Sequence, residues 1–486
     1  MKKNKKSPHP NWAIKHRVSG TELRNFGGKF YLYAVKSEYD RKLKRARKIT
    51  GQLLGRITKE EGLVESEKKK LKEKVALGFD PSKLSIKEYG FTSFINSYFN
   101  DITDQIKKFF PDHWQLIIII SYCRIVHQSC IKNMPLLYSK SFLSEQFGIS
   151  LSDKRVSHFL RELGQMREAA SSYMRSFIKP NDYVLFDMTN VFNSSNNIAL
   201  SKEGYNSDFL FEKQFNLLYL FSPLLSQPVF YRLFPGSLRE VKGFTTCLKE
   251  SGLESAVIIT DKGFYSEKNV GQLNQQNLNY IIPLKRNNPL IDYKGLSKQG
   301  KNYFQFNGRY IWFHKYKTDG KCICLFLDGE LQQKEERDYL SRIETLPESY
   351  SIKEFHIKKE KFGTMAMISR IKKESTPEEI YFNYKSRGTI EVLFDSMKNI
   401  LKNDRTYMQN EDALHGWMFI NHITLQWYYK LYAILKEKKC LKKFSVGDIV
   451  LNLREVRKAR MNGDWIMEPI VKQTELMLEK INCHIT

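Results

Sequence analysis

YVLFDMTNVF, residues 183–192, is an apolar run with a single acidic residue, Asp187, at its centre. Its valines, leucine and aromatics suit a buried strand, where a carboxylate is costly unless it is paired or bound to metal. Downstream, FNLLYLFSP (215–223) and QPVFYRLFPG (227–236) read as two more strands. Three in close succession predict an antiparallel meander. A helix-like segment, GFTTCLKESGL (243–253), comes next. AVIITD (256–261), helical spacing in SEKNVGQLNQQ (266–276) and NYIIPLK (279–285) then alternate strand, helix and strand, which predicts parallel pairing beside the meander. The expected fold class is therefore α/β: a mixed sheet with helices on its faces. Asp261 closes its strand, and ligand sites in α/β sheets gather at the carboxyl ends of strands. An aspartate in that position also serves as a turn former or helix cap.

Working outward, the character of the chain changes at Pro180. Before it, apolar residues recur at helical spacing through FINSYFNDITDQIKKFF (94–110), QLIIIISYCRIV (115–126) and KRVSHFLRELGQMREAASSYMRSFI (154–178), so 86–180 is expected to be a helical, DNA-binding region. Residues 1–85 are strongly basic: GGKFYLYAVKSEY (27–39) reads as a hairpin, and ESEKKKLKEK (65–74) as a charged helix or linker. Beyond the central strands, 287–376 reads as a β-rich insertion, with FQFNGRYIWFHKYK (304–317) and KCICLFLDG (321–329) its clearest strands. One long amphipathic helix is expected at about 377–402, and more helix to about 437. A basic helical tail is expected over 438–486. The core is thus split, 181–286 with 377–437.

Composition bounds the partners. The 486 residues are too many for one core, and 32 Phe, 26 Tyr and 6 Trp are ample for globular folding. Lysine and arginine number 79 against 53 aspartates and glutamates, a net charge of +26. Such an excess attracts polyanions, nucleic acid first and anionic membrane second. The longest apolar stretch, WQLIIIISY (114–122), is half of the ~20 residues a spanning helix needs, and no apolar segment follows the charges of MKKNKKSPHPNW. Seven cysteines, scattered and without a CxxC pair, fit free thiols in a reducing cytoplasm rather than disulfides or zinc. A cytoplasmic protein associated with nucleic acid is the matching expectation.

The most specific pattern is YKSRGTIEVLFDSMKNILK, residues 384–402. On a continuous helix Tyr384, Arg387, Glu391 and Lys398 fall within an arc of about 60°. The opposite stripe, Ile390, Leu393, Phe394, Met397 and Leu401, would bury against a sheet. A plain reading is a solvated face held by an Arg387–Glu391 ion pair. Asp395, one turn on from Glu391, faces the same side and competes with it as a ligand candidate.

The spacing Y-x2-R-x3-E-x6-K resembles the signature of DDE transposases of bacterial insertion sequences. DMTNVFNSS around Asp187, FPGSLREVKGF (234–244) and ITDKGFYS around Asp261 agree with it, so the resemblance covers about residues 180–430. It implies a ribonuclease-H-like catalytic core with Asp187, Asp261 and Glu391 as catalytic residues and metal ligands. Asp187 would be shared by two Mg²⁺ ions (Mn²⁺ as substitute), with Asp261 and Glu391 each completing one site. It further implies that Tyr384, Arg387 and Lys398 orient transposon-end DNA. Cut-and-paste chemistry would follow: cleavage at terminal inverted repeats, then transfer of the 3′-hydroxyl into double-stranded target DNA by a homodimer. In RYIWFHKY, alternation places Tyr310, Trp312, His314 and Tyr316 on one face. An insert tryptophan holds a flipped base in similar transposases, which makes Trp312 a DNA-binding candidate; the other reading is a core tryptophan. Two alternatives stand beside transposition: a nuclease of the same fold that cuts without joining, and an inactive DNA-binding descendant.

Overall fold

The computed structural model describes residues 9–40, 45–65, 84–179, 183–204, 212–237, 246–247, 249–253, 257–298, 302–371, 375–402, 404–461 and 463–485, without the side chains of residues 40, 389–391, 393, 399 and 400. The chain divides into two compact units: Met1–Phe94 with Ser139–Gln146 and Asp448–Thr486, and Ile95–Tyr138 with Phe147–Gly447.

The larger unit is built on one sheet. Its strands are β1 (Tyr183–Phe192), β2 (Lys202–Glu203), β3 (Lys213–Ser222), β4 (Gln227–Pro235), β5 (Val257–Ile259), β6 (Asn279–Leu284), β7 (Tyr303–Phe306), β8 (Arg309–Thr318), β9 (Lys321–Asp328) and β10 (Thr364–Arg370). Their order is β7-β8-β9-β10-β6-β5-β1-β3-β2, with β4 also paired to β3. The expected meander is present: β1, β3 and β4 pair antiparallel in succession, with Asp187 opposite Tyr219. The expected parallel pairing is present too, since β5 lies parallel to both β1 and β6. Between β5 and β6 runs the helix Glu267–Gln275, whose first turn is capped by the Ser266 hydroxyl accepting from Asn269 N. Leu185, Leu217, Ile281, Leu325 and Ile368, one from each of five strands, are fully buried. Burial on both faces explains why these strands read as continuous apolar runs rather than alternating ones.

Helices pack against this sheet. The 27-residue helix Glu411–Glu437 begins at an Asn410 cap and is buried over much of its length. It packs against the helices Asp153–Gln165 and Trp114–His127. The first of these contacts is set by two glycines. A Cβ on Gly164 would overlap the carbonyl oxygen of Asp412, and one on Gly416 the carbonyl oxygen of Leu160. Backbones this close leave no room for a side chain. Gly164→Val is therefore expected to cost about 3 kcal/mol, measured as a lower urea midpoint. Gly271→Ala, in a helix with open space around the new methyl, should stabilise by about 0.5–1 kcal/mol. Equal midpoints for the two variants would contradict the close packing.

His422 lies on the same long helix, fully buried between the rings of Tyr219 and Tyr231 at 5.9 and 5.3 Å. Neither ring nitrogen has a hydrogen-bond partner. Burial pushes its imidazole down to about 3. The folded state thus holds His422 neutral while the unfolded chain protonates it below pH ~6.5. Stability from this group is complete above that pH and falls on acidification, by up to about 1.4 kcal/mol per unit, levelling only near the folded value. His422→Phe should give a shallower loss of stability between pH 6 and 4 than wild type; an identical acid limb would contradict it.

Several expectations for the chain's organisation are corrected. Residues 287–376 are not a separate strand-rich body: β7 to β10 extend the core sheet, β10 pairing with β6. They also carry three helices, Tyr293–Lys298, Gly329–Thr345 and Ile352–Lys358. The second of these buries only Tyr339, so its sequence shows almost no apolar stripe to read. The helices Asn100–Phe109, Trp114–His127, Asp153–Gln165 and Arg167–Arg175 belong to the unit with the sheet. The smaller unit has an antiparallel four-stranded sheet, Thr21–Phe26, Lys29–Asp40, Arg45–Thr58 and Gly62–Glu65, where the sequence predicted a hairpin. Its core gathers Ala13, Leu23, Phe30, Leu32 and Ile57. The tail is not wholly helical: Arg457–Met461 and Asp464–Met467 pair with each other and with Ser85–Glu88. In the sequence the two strands are separated by Asn-Gly, a dipeptide that signals hairpins. The charged run 66–74 lies outside the described residues.

Candidate active site

Asp187 sits in the middle of β1, half-buried, opposite Tyr219 of β3. Parallel β5 aligns Val257, Ile258 and Ile259 with Tyr183, Val184 and Leu185. Asp187 stands two residues past Leu185 on β1, and Asp261 two residues past Ile259, the last residue of β5, so both follow the same aligned pair of adjacent strands at equal steps. The aromatic residues next to them lock the arrangement: the rings of Phe186 and Phe264 meet edge to face at 5.7 Å. Asp261 also fixes its own loop, its Oδ1 accepting from Phe264 N at 3.0 Å. Gly263 keeps the carboxylate uncrowded, because a Cβ there would lie 3.3 Å from both of its oxygens.

The predicted long helix over 377–402 is interrupted. Pro377–Lys385 is one helix, with a capping box between Thr376 and Glu379. Gly388–Asp395 is the next, and Ser396–Ile400 continues it as a π-turn. Ser386 and Arg387 form the turn between them, closed by Arg387 N donating to Tyr384 O at 3.0 Å. Gly388 follows, and its entropy cost makes it a poor interior helix residue. The common face drawn for Tyr384, Arg387, Glu391 and Lys398 therefore does not hold as one helix.

The break has a consequence. Arg387 Nη2 donates to Asp187 Oδ2 at 2.7 Å, with both side chains under one-fifth exposed. A largely buried carboxylate needs a counter-charge, and here it comes from 200 positions away. Asp187 is thus a partner of Arg387. The helix Gly388–Asp395 packs against β1, so the backbone of Glu391 lies on the element next to the Asp187 strand. The Glu391 side chain is outside the described residues. Tyr384 ends the first helix and Lys398 lies in the π-turn, each half-buried. Asp395 is exposed at the end of its helix, and its charge raises the Tyr428 hydroxyl, after the larger effect of burial. Met397 and Leu401 of the expected apolar stripe are buried and Phe394 half-buried.

Trp312 is on β8, 37% exposed, and its ring meets Tyr303 at 5.3 Å, with Tyr310 against the same tyrosine. The face shared by Tyr310, Trp312, His314 and Tyr316 is open at one end only. His314 is buried and stacked on Tyr316, whose hydroxyl donates to Leu290 O.

Asp187 and Asp261 supply hard carboxylate oxygens of the kind that Mg²⁺ and Mn²⁺ take. Among the described residues no cluster of three His, Cys, Asp or Glu occurs. The chemistry of Asp187 and Asp261 fits divalent ions, and the backbone of Glu391 lies on the helix that packs against β1. All seven cysteines are free. No helix among the described residues is long and apolar enough to cross a membrane.

Comparison with known proteins places this geometry. Residues 187–427 match the family model of the transposase DDE domain, a span that opens on Asp187 itself. Among solved structures, a cryo-EM structure of piggyBac transposase in a synaptic complex with hairpin DNA is similar, with a TM-score of 0.37 and 12% identity over 76% of this chain and 79% of that one. No curated protein matches. Asp187, Asp261 and the helix of Glu391 thus lie within the stretch that is similar to the transposase DDE domain, and the chain is an enzyme of DDE endonuclease and transferase type.

Proposed function

We propose that the chain is a cut-and-paste DNA transposase of a bacterial insertion sequence, acting in the cytoplasm at the nucleoid. The observation that carries the reading is that Asp187 and Asp261 each stand two residues past the aligned pair Leu185 and Ile259 of adjacent parallel strands, with the helix of Glu391 packed against the first strand. The order β4-β3-β1-β5-β6, three antiparallel strands followed by two parallel ones, supports a ribonuclease-H-like core.

Asp187, Asp261 and Glu391 would hold two Mg²⁺ ions, or Mn²⁺ in their place. When bound, such ions supply an activated oxygen nucleophile and neutralise charge on the leaving oxygen. The chain's own residues do the rest. Arg387 holds the Asp187 carboxylate in place and presents a second cationic edge to a phosphate. Lys398 adds a point charge and Tyr384 a hydroxyl or stacking face beside the scissile bond. Trp312, partly exposed, would stack on an unpaired base of the transposon end. In the first step water attacks phosphorus and the bond to the 3′-oxygen breaks, leaving a 3′-hydroxyl and a 5′-phosphate. In the second, that 3′-oxygen attacks a target phosphodiester and displaces the target's own 3′-oxygen. Joining two element ends calls for a homodimer on DNA.

The test is a joining assay. A duplex ending in the element's own terminal repeats is incubated with the chain, Mg²⁺ and a supercoiled plasmid. Products covalently linked to plasmid are expected. Cut ends without joined products would make the chain a nuclease, and neither product in Mg²⁺ or Mn²⁺ would overturn the reading.

A further inference from the structure

Away from the paired aspartates, a cavity of about 590 Å³ opens between the helices Trp114–His127, Asp153–Gln165 and Glu411–Glu437 and the segment 402–410. Its floor holds Arg124, which is 3% exposed. The guanidinium stacks over the Trp417 ring at 4.6 Å and donates Nε to Asn421 Oδ1 at 3.2 Å, Nη1 to Ser129 O at 3.1 Å and Nη2 to Leu401 O. All three acceptors are neutral. Among the described residues no carboxylate pairs with Arg124, and none lines the cavity. Burial also pulls its guanidinium down to about 10. A buried cation satisfied only by dipoles favours a bound anion.

The rim repeats the charge. Lys132, Arg161 and Lys402 are exposed there, without an ion pair among the described residues, while Arg405 is matched by Glu212 at 2.6 Å. The remaining wall presents an aromatic ring to solvent: Tyr407 is 82% exposed. Four uncompensated cations and one open π-face suit a ligand with a phosphate and a planar ring. The volume lies in the range of small-ligand pockets, ~300–1,000 Å³, and a base inside a duplex could not enter it.

We propose that this cavity takes one unpaired nucleotide of a DNA strand, its phosphate toward Arg124 and the rim cations, its base on Tyr407. The location fits a strand that also reaches the aspartates. Residues 404–406 are hydrogen-bonded to Phe192 at the end of β1, through Phe192 N to Asp404 O and Thr406 N to Phe192 O. Phe192 is five residues past Asp187, or roughly 17 Å along the strand. Arg124 also grips Leu401 O, just beyond the π-turn that follows the Glu391 helix, so an occupied cavity braces the end of that element. The inference deepens the DNA-processing reading and rests on it, but its test needs neither metal nor cleavage.

Binding of a labelled thymidine octamer, a 16-base-pair duplex and free thymidine monophosphate is measured by anisotropy on the full chain without divalent metal. The exposed residues are varied, because replacing Arg124 risks the fold. Tyr407→Ala should weaken octamer binding about tenfold, Tyr407→Phe less than about twofold, and the pair Arg161→Ala with Lys402→Ala about tenfold. Duplex affinity of Tyr407→Ala should stay within about threefold of wild type. Unchanged octamer binding in Tyr407→Ala, or an equal loss on duplex, would overturn the proposal. So would the monophosphate binding as tightly as the octamer, which would make the cavity a free-nucleotide site. Because DNA cutting is not read, a chain that fails the joining assay can still pass here, and an active transposase can fail.

Discussion

Asp187→Asn is expected to lower metal-dependent DNA strand cleavage by about a thousandfold or more while changing DNA affinity less than about threefold. The substitution keeps the shape of the side chain and removes its charge. Loss of one carboxylate ligand forfeits several kcal/mol of charge stabilisation, and ~1.4 kcal/mol is tenfold in rate. Asp261→Asn should behave alike, because Asp261 follows β5 two residues past Ile259 as Asp187 stands two residues past its partner Leu185. The two differ in one respect. Asp187 also answers the charge of Arg387 at 2.7 Å, so Asp187→Asn should lower thermal stability as well. The Asp261 carboxylate accepts the backbone N–H of Phe264, and Asp261→Asn should melt closer to wild type. Cleavage and binding measured on one preparation of each variant separate the effects. Normal nicking by either variant removes that aspartate from the chemistry.

The second large effect concerns salt. With 79 lysines and arginines against 53 acidic residues, DNA affinity is expected to rest on phosphate contacts that release counterions. For 6–10 such contacts the affinity falls about 10³–10⁵-fold between 50 and 200 mM salt. A plot of log affinity against log salt should be linear and steep. A flat plot would mean that the basic surface is solvated and the interface apolar. Asp187→Asn should leave the slope unchanged, since that residue contributes no phosphate contact.

Much of the sheet was legible because burial on both faces leaves continuous apolar runs. YVLFDMTNVF, FNLLYLFSP and NYIIPLK declare strands without their partners. The acid inside the first run declares a site, since a charge is retained there only with a counter-charge or metal. What local pattern cannot show is who sits beside whom. The pairing of β5 with β1 is a tertiary fact, and so is the Arg387–Asp187 pair, whose members are 200 residues apart. The turn at Ser386 and Arg387 was hidden for another reason. Helical spacing continues across it, and Gly388 alone is a weak breaker. In 287–376 the exposed helix Gly329–Thr345 lacks an apolar stripe, and the strands around it betray nothing of having joined the core sheet. The cavity around Arg124 was invisible for the same reason: its lining comes from segments nearly 300 residues apart.

The most direct measurement is the anomalous diffraction of Mn²⁺ soaked into crystals of the full chain. Strong peaks are expected within about 2.1 Å of carboxylate oxygens of Asp187, Asp261 and Glu391, with Asp187 common to both ions. Peaks elsewhere, or a Glu391 carboxyl well over 10 Å from both aspartates with Mn²⁺ present, would contradict the three-carboxylate centre.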